Sequence, residues 1–183
     1  MPESHLMRRV LILGCSGAEK STFARQLGAI TGLPVVHLDQ LYWQPGWVEP
    51  DREQWLRALR CVLECDAWIL DGHFGSSISM RLEAADTVIL FDFPSMICIR
   101  RVLTRVLKGL GKTRPDMASG CPERFDATFL RFIWTFRRQR LPQVMKKLEG
   151  FPGELIILRK PRQVRDLLER MQPGSPGKSL GLA

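Results

Sequence analysis

The sequence predicts an α/β fold in three layers, a five-stranded parallel sheet with helices on both faces. Three observations carry this. Five short runs, "RVLILG" (9–14), "LPVVHL" (33–38), "AWILDG" (67–72), "DTVILFDFP" (86–94) and "GELIILR" (153–159), are almost continuously apolar, as strands buried on both faces are. Helical patterns fill the intervals, at about 20–31, 52–65, 95–109, 126–140, 143–149 and 161–171. Strand alternating with helix supplies the crossovers that parallel strands require.

The first strand ends in the loop "GCSGAEKST" (14–22), which opens the helix 20–31. A strand feeding a glycine loop and a helix aims several backbone N–H groups, with the positive end of the helix dipole, at one spot suited to phosphate. Residues Gly14, Cys15, Ser16, Gly17, Ala18, Glu19, Lys20, Ser21 and Thr22 are therefore the candidate phosphate cradle. The pattern G-x-x-x-x-G-K-[ST] is met at Gly14, Lys20 and Ser21, with Lys20 reaching the outer phosphates and the Ser21 hydroxyl ligating Mg²⁺. It fails at Glu19, where glycine is expected. A glutamate there adds bulk and a charge of the same sign as phosphate, although a carboxylate in a first helical turn favours the empty fold.

The second strand leads to Asp39 and then to Tyr42, Trp43 and Trp47 around a Pro-Gly turn. These aromatics fit either a wall against a base or sugar or a cover over the core. Helix 52–65 carries Cys61 and Cys65 four residues apart, without the second pair or nearby histidine that a metal site needs. The third strand closes on Asp71, an acid suited to hold Mg²⁺ or its water, and equally a turn residue before Gly72. Asp92 lies late in the fourth strand. In helix 95–109, Arg101, Arg105 and Lys108 form a basic face opposite Ile97, Val102, Leu103, Val106 and Leu110. Arg159 closes the fifth strand. The loop 14–21, Asp39, Asp71, Asp92 and Arg159 thus all fall at the carboxyl ends of strands, where open parallel sheets bind ligands. His37 and His73 read as pocket or core histidines, and Arg81 as a candidate holder of the acceptor.

The net charge of +8 is local: residues 100–140 hold eleven Lys or Arg against three acids, and the rest of the chain is balanced. A polyanion or polyphosphate partner is implied there. Within it, residues 108–140 begin with glycine and proline interruptions and continue as "FDATFLRFIWTFRRQR", which predicts a mobile lid anchored by Phe129, Phe132, Ile133 and Phe136, with Arg131, Arg137, Arg138 and Arg140 turning toward phosphate.

With 183 residues, 45% hydrophobic and 25% charged, the chain suits one globular domain over 1–171, followed by a Gly/Pro/Ser-rich tail, 172–183, expected to be disordered. The start, with few apolar residues after Arg8 and Arg9, reads as neither a secretory segment nor a membrane span, so a cytoplasmic setting with five reduced cysteines is expected.

Together, "GCSGAEKST", "HLDQLYWQPGW" (37–47), "WILDGHF" (68–74), "ADTVILFDFP" (85–94), "RRVLTR" (100–105) and "GKTRPDMASGCPE" (111–123) resemble the adenylate-kinase-like P-loop kinases, most closely the branch labelled DNA topology modulation proteins. The resemblance implies a P-loop NTPase fold with a short lid, ATP and Mg²⁺, and transfer of the γ-phosphoryl to a small phosphorylated or nucleoside-like acceptor. It implies catalytic roles for Lys20, Asp39, Asp71, Arg101, Arg105 and Arg138, nucleotide contacts from residues 14–22, Arg101 and Arg159, and a metal held by Ser21 and Asp71. Glu19 departs from the family's glycine. A nucleic-acid-binding module and a catalytically degenerate nucleotide binder are the alternative functions; the former lacks any recognised motif.

Overall fold

The computed structural model describes residues 7–172; the tail expected to be disordered lies outside them apart from Gln172. Its sheet comprises β1 (Arg9–Gly14), β2 (Val35–His37), β3 (Trp68–Asp71), β4 (Thr87–Phe91) and β5 (Glu154–Leu158). All neighbours are parallel, in the spatial order β2-β3-β1-β4-β5. The helices are α1 (Lys20–Thr31), α2 (Leu38–Tyr42), α3 (Arg52–Leu63), α4 (Ile78–Ala84), α5 (Ser95–Gly109), α6 (Ala127–Gln139), α7 (Leu141–Leu148) and α8 (Pro161–Met171).

The strands alternate between two buried faces, which is why they read as continuous apolar runs. Val10, Ile12, Ile89 and Phe91 meet Phe23 and Leu27 of α1, Val102 of α5, Ile133 and Phe136 of α6 and Leu167 of α8. Leu11, Leu13, Leu70 and Leu90 face the other way, onto Trp55 and Leu59 of α3, Leu82 of α4 and Val144 and Leu148 of α7. The three layers follow from this period of two. Among the described residues, no helix is long and apolar enough to cross a membrane.

Several boundaries differ from the sequence expectation. The run 86–94 is a strand only over Thr87–Phe91, because the chain then turns toward Pro94 at the start of α5. The helix expected at 143–149 begins at Leu141, with Pro142 in its first turn, where a missing N–H costs nothing. Helices α2 and α4 were not expected; both are too short to show a period. On α5 the buried stripe is Cys98, Val102 and Val106, whereas Leu103 and Leu110 are 36% and 64% exposed and do not belong to it.

Candidate active site

The rim of the sheet is set by register. Gly14 pairs with Phe91, and Asp71 pairs with both Ile12 and His37, so the ends of β1, β2 and β3 lie side by side. Gly14 has φ 139°, and a Cβ there would lie 2.6 Å from the Phe91 carbonyl oxygen. Gly17 is held still closer to α5: at φ 83° its Cβ would fall 2.4 Å from the Cys98 carbonyl oxygen. Only glycine permits that approach.

Glu19 sits immediately before α1 with φ 67° and ψ 29°, the left-handed conformation that glycine adopts at little cost. The loop therefore keeps a glycine-type backbone with a glutamate in it, at a cost of about 1 kcal/mol. Its side chain is drawn outward, Oε2 lying 3.1 Å from Arg101 Nη2. Lys20 Nζ donates to the Cys15 carbonyl at 3.1 Å, closing the loop on itself.

Lys20, Ser21, Asp39, Asp71, Arg101 and Arg105 all border one cavity of about 990 Å³, with Ser16, Gly17, Glu19 and Thr22. Gly14, Cys15 and Ala18 do not line it: Cys15 and Ala18 are buried beneath the loop. Asp71 is buried, with Oδ2 3.0 Å from His37 Nδ1 and Oδ1 without a hydrogen-bond partner among the described residues. An unpartnered buried carboxylate oxygen on the cavity that Ser21 also lines fits a Mg²⁺ or its coordinated water. No three His, Cys, Asp or Glu side chains among the described residues converge to hold an ion unaided. A site completed by phosphate and water is what Mg²⁺ ordinarily uses.

Burial pushes the Asp39 carboxyl up to about 6, with Lys20 drawing it down and Asp71 pushing it further up. His73 is driven down to about 3, first by burial and then by Lys20, Arg81, Arg140 and Lys147, so it is neutral near pH 7. Burial disfavours the Asp116 carboxylate, but Arg114 and the Ser21 hydroxyl outweigh this and hold it below the ordinary carboxylate range.

Other expected residues fall elsewhere. Arg138 is exposed and outside the cavity. Arg159 also lies outside it, 61% exposed and 3.6 Å from Asp92, which Arg137 meets at 3.0 Å. Lys108 is exposed, and Arg131 does not line the cavity. Arg81, read as an acceptor holder, is fully buried, donating to the carbonyls of Gly72 (2.8 Å), His73 and Phe74 (2.9 Å). It braces the loop after β3. The aromatics divide: Tyr42 packs on Trp55 and Phe74, whereas Trp43 and Trp47 line the cavity.

Residues 110–126 cross to the far wall as a strap. Gly46 N donates to Gly120 O at 2.8 Å, Trp47 Nε1 to Pro122 O at 3.1 Å and Cys121 Sγ to Gln44 O at 3.1 Å, while Gln40 Nε2 donates to Pro115 O. Met117, Ala118 and Cys121 are buried against Trp43 and Trp47. The strap brings Arg114, Asp116 and Glu123 into the cavity wall, α7 adds Lys147, and Arg140 joins from the junction between α6 and α7. The sequence expectation turned Arg140 toward phosphate but left Arg114, Asp116, Glu123 and Lys147 unassigned to the site; of these, Asp116 and Glu123, two acids inside a basic glycine/proline stretch, carried a signal.

No family model matches the chain, and no curated protein matches its sequence. Solved structures do. A shikimate kinase from Acinetobacter baumannii in complex with shikimate aligns at 17% identity and a TM-score of 0.58, covering 90% of each chain. A gluconokinase from Sinorhizobium meliloti 1021 aligns at 15% identity and 0.53, covering 91% of this chain and 90% of that one. A shikimate kinase from Bacteroides thetaiotaomicron aligns at 17% and 0.50, covering 90% and 96%. The chain thus shares the three-layer α/β P-loop fold of these solved structures.

Proposed function

We propose that this chain is an ATP- and Mg²⁺-dependent phosphotransferase acting on a small phosphorylated or nucleoside-like acceptor, in the adenylate-kinase-like group that its motifs resemble, the topology modulation branch included. The observation that carries the reading is the meeting of Lys20, Ser21, Asp39 and Asp71 on one cavity at the strand ends. The fold shared with shikimate kinase and gluconokinase supports a small hydroxyl-bearing acceptor. Residues 14–22 cradle the phosphates through backbone N–H groups, and Lys20 exchanges the Cys15 carbonyl for an outer phosphate oxygen. Ser21 and Asp71 hold Mg²⁺, which when bound neutralises charge on the transferring group. Asp39 accepts the proton of the attacking hydroxyl, its raised pKa being matched to that task near neutral pH. Arg101, Arg105 and Arg114 stabilise the phosphoryl oxygens, Trp43 and Trp47 flank the acceptor, and the strap acts as the lid that excludes water once both nucleotide and acceptor are bound. Arg138 and Arg159 reach phosphate only through a rearrangement of α6 and of the Asp92 ion pairs. The domain is 1–171, its setting cytoplasmic.

The competing assignment is a nucleic-acid-binding module using the exposed Arg100, Lys112, Arg131 and Arg138. Displacement of a fluorescent ATP analogue separates the two. At about 150 mM salt a bisubstrate dinucleotide is expected to compete strongly, and duplex DNA weakly with a steep salt dependence. The reverse ranking overturns the kinase reading.

A further inference from the structure

Three of the arginines that border the cavity, Arg101, Arg105 and Arg114, are already occupied by the chain's own carboxylates. Glu19 holds Arg101, as described above. Glu123 is the hub of a second set. Its Oε1 lies 2.9 Å from Arg105 Nε and 2.5 Å from Arg114 Nε, and Arg114 Nη1 donates to Asp116 Oδ2 at 2.6 Å. The two Nε contacts are charge contacts rather than aligned hydrogen bonds, since neither Nε has a partner at hydrogen-bonding geometry. Glu123 is only 6% exposed, while Arg105 and Arg114, which line the cavity, keep 29% and 23% of their side chains exposed. The carboxylate is thus shielded behind the arginines, and the arginines present their open sides to an incoming ligand.

Arg105 belongs to α5, whereas Arg114 and Glu123 belong to the strap, so the Arg105–Glu123 pair ties the strap to the cavity wall. Within the strap, Gly111 N donates to Glu123 O at 3.0 Å and Glu123 N to Lys112 O at 2.9 Å, so Glu123 also closes the strap on itself. Glu123 therefore links ion pairing in the cavity with the path of the strap. A carboxylate offers two oxygens and one charge. A polyphosphate offers more of both, and it can span Arg101, Arg105 and Arg114 at once.

We propose that Glu123, assisted by Glu19, is a built-in competitor for polyphosphate, and that the ligand takes its arginines by exchange and thereby unlatches the strap around Cys121. The proposal rests on the polyphosphate part of the function proposed above and deepens it by assigning the regulation of that site. Exchange leaves Glu123 buried without a counter-charge, a state that is relieved only when its segment moves toward water. No bond is made or broken. Cys121, two residues away and 1% exposed against Trp43 and Trp47, reports the movement.

The test uses the full chain with inorganic tripolyphosphate and with ATP·Mg²⁺, read by calorimetry and by the alkylation rate of Cys121 followed by mass spectrometry. The exposed Cys61 and Cys65 serve as internal references. Glu123→Gln is expected to bind tripolyphosphate about fivefold more tightly than the unaltered chain, the opposite of what loss of a merely structural ion pair gives. In the unaltered chain, saturating tripolyphosphate is expected to raise Cys121 alkylation about fivefold, on the local-opening scale. That second measurement needs no variant and stands if Glu123→Gln fails to fold. Cys121 remaining protected at saturation, or an affinity for tripolyphosphate that Glu123→Gln leaves equal or weakens, overturns the latch. If ATP·Mg²⁺ binds tightly while Cys121 stays protected, the latch falls and the phosphotransferase reading stands. If tripolyphosphate unlatches the strap but ATP binds no better than tripolyphosphate, the latch stands and the nucleotide reading falls.

Discussion

The Glu19 carboxylate lies 3.1 Å from the Arg101 guanidinium, joining the residue that breaks the loop pattern to the first arginine of α5. The pair explains how a glutamate is tolerated where the backbone adopts φ 67°. Its charge is balanced by the guanidinium, though with Glu19 58% exposed the pair is worth at most about 1 kcal/mol.

Replacing Glu19 by glycine removes a left-handed non-glycine residue, a charge repelling phosphate and the competitor for Arg101. ATP affinity is expected to rise at least about tenfold, or about 1.4 kcal/mol, read by calorimetry. Equal affinity in both proteins would show that the departure from the loop pattern is silent.

Asp71→Asn keeps the shape of the side chain but not the charge on its unpartnered Oδ1. Mg²⁺-dependent nucleotide binding is expected to weaken about tenfold or more, while the metal-free component stays nearly constant. A parallel fall in both components would make Asp71 a structural partner of His37 and no more.

Arg81→Met is expected to lower stability by about 3 kcal/mol, since several carbonyls of the 72–77 loop lose their donors. Burial lowers the Arg81 pKa to about 9, so the group remains charged at neutral pH and its loss is felt there. A melting temperature unchanged in the variant would contradict the bracing role.

Acid sensitivity is the signature of His73. Its folded pKa, about 3, lies below the ordinary histidine value, so between roughly pH 6.5 and 3 the unfolded chain binds the extra proton. Stability is therefore lost as pH falls through that window. Asp39 acts with the opposite sign: its raised pKa makes the native state the better proton binder between about 4 and 6. His73→Gln is expected to flatten the acid side of the stability profile, and denaturant midpoints measured across that range check it.

Much of this was legible in the chain. The strands at 9–14 and 67–72 and the helix at 20–31 could be read because their apolar periods are set by two buried faces. The convergence of Lys20, Ser21, Asp39 and Asp71 follows from parallel topology, which brings strand ends to one rim whatever their separation in sequence. Long-range pairing was not legible. Nothing local marks Arg81 for the interior, Asp92 for Arg137 and Arg159, or Glu123 for Arg105, because each partnership depends on how loops cross after the sheet has formed. The short helices α2 and α4 escaped because five and seven residues hold too little periodicity.

The account turns on whether ATP·Mg²⁺ occupies the cavity above the β1 loop. Calorimetric titration of the unaltered chain and of Lys20→Ala measures this directly. Saturable one-to-one binding to the unaltered chain, weakened about a hundredfold in Lys20→Ala, is the expected result, since the lysine supplies a charge-assisted contact to the outer phosphates. Binding that Lys20→Ala leaves unchanged, or no binding to either protein, would contradict it.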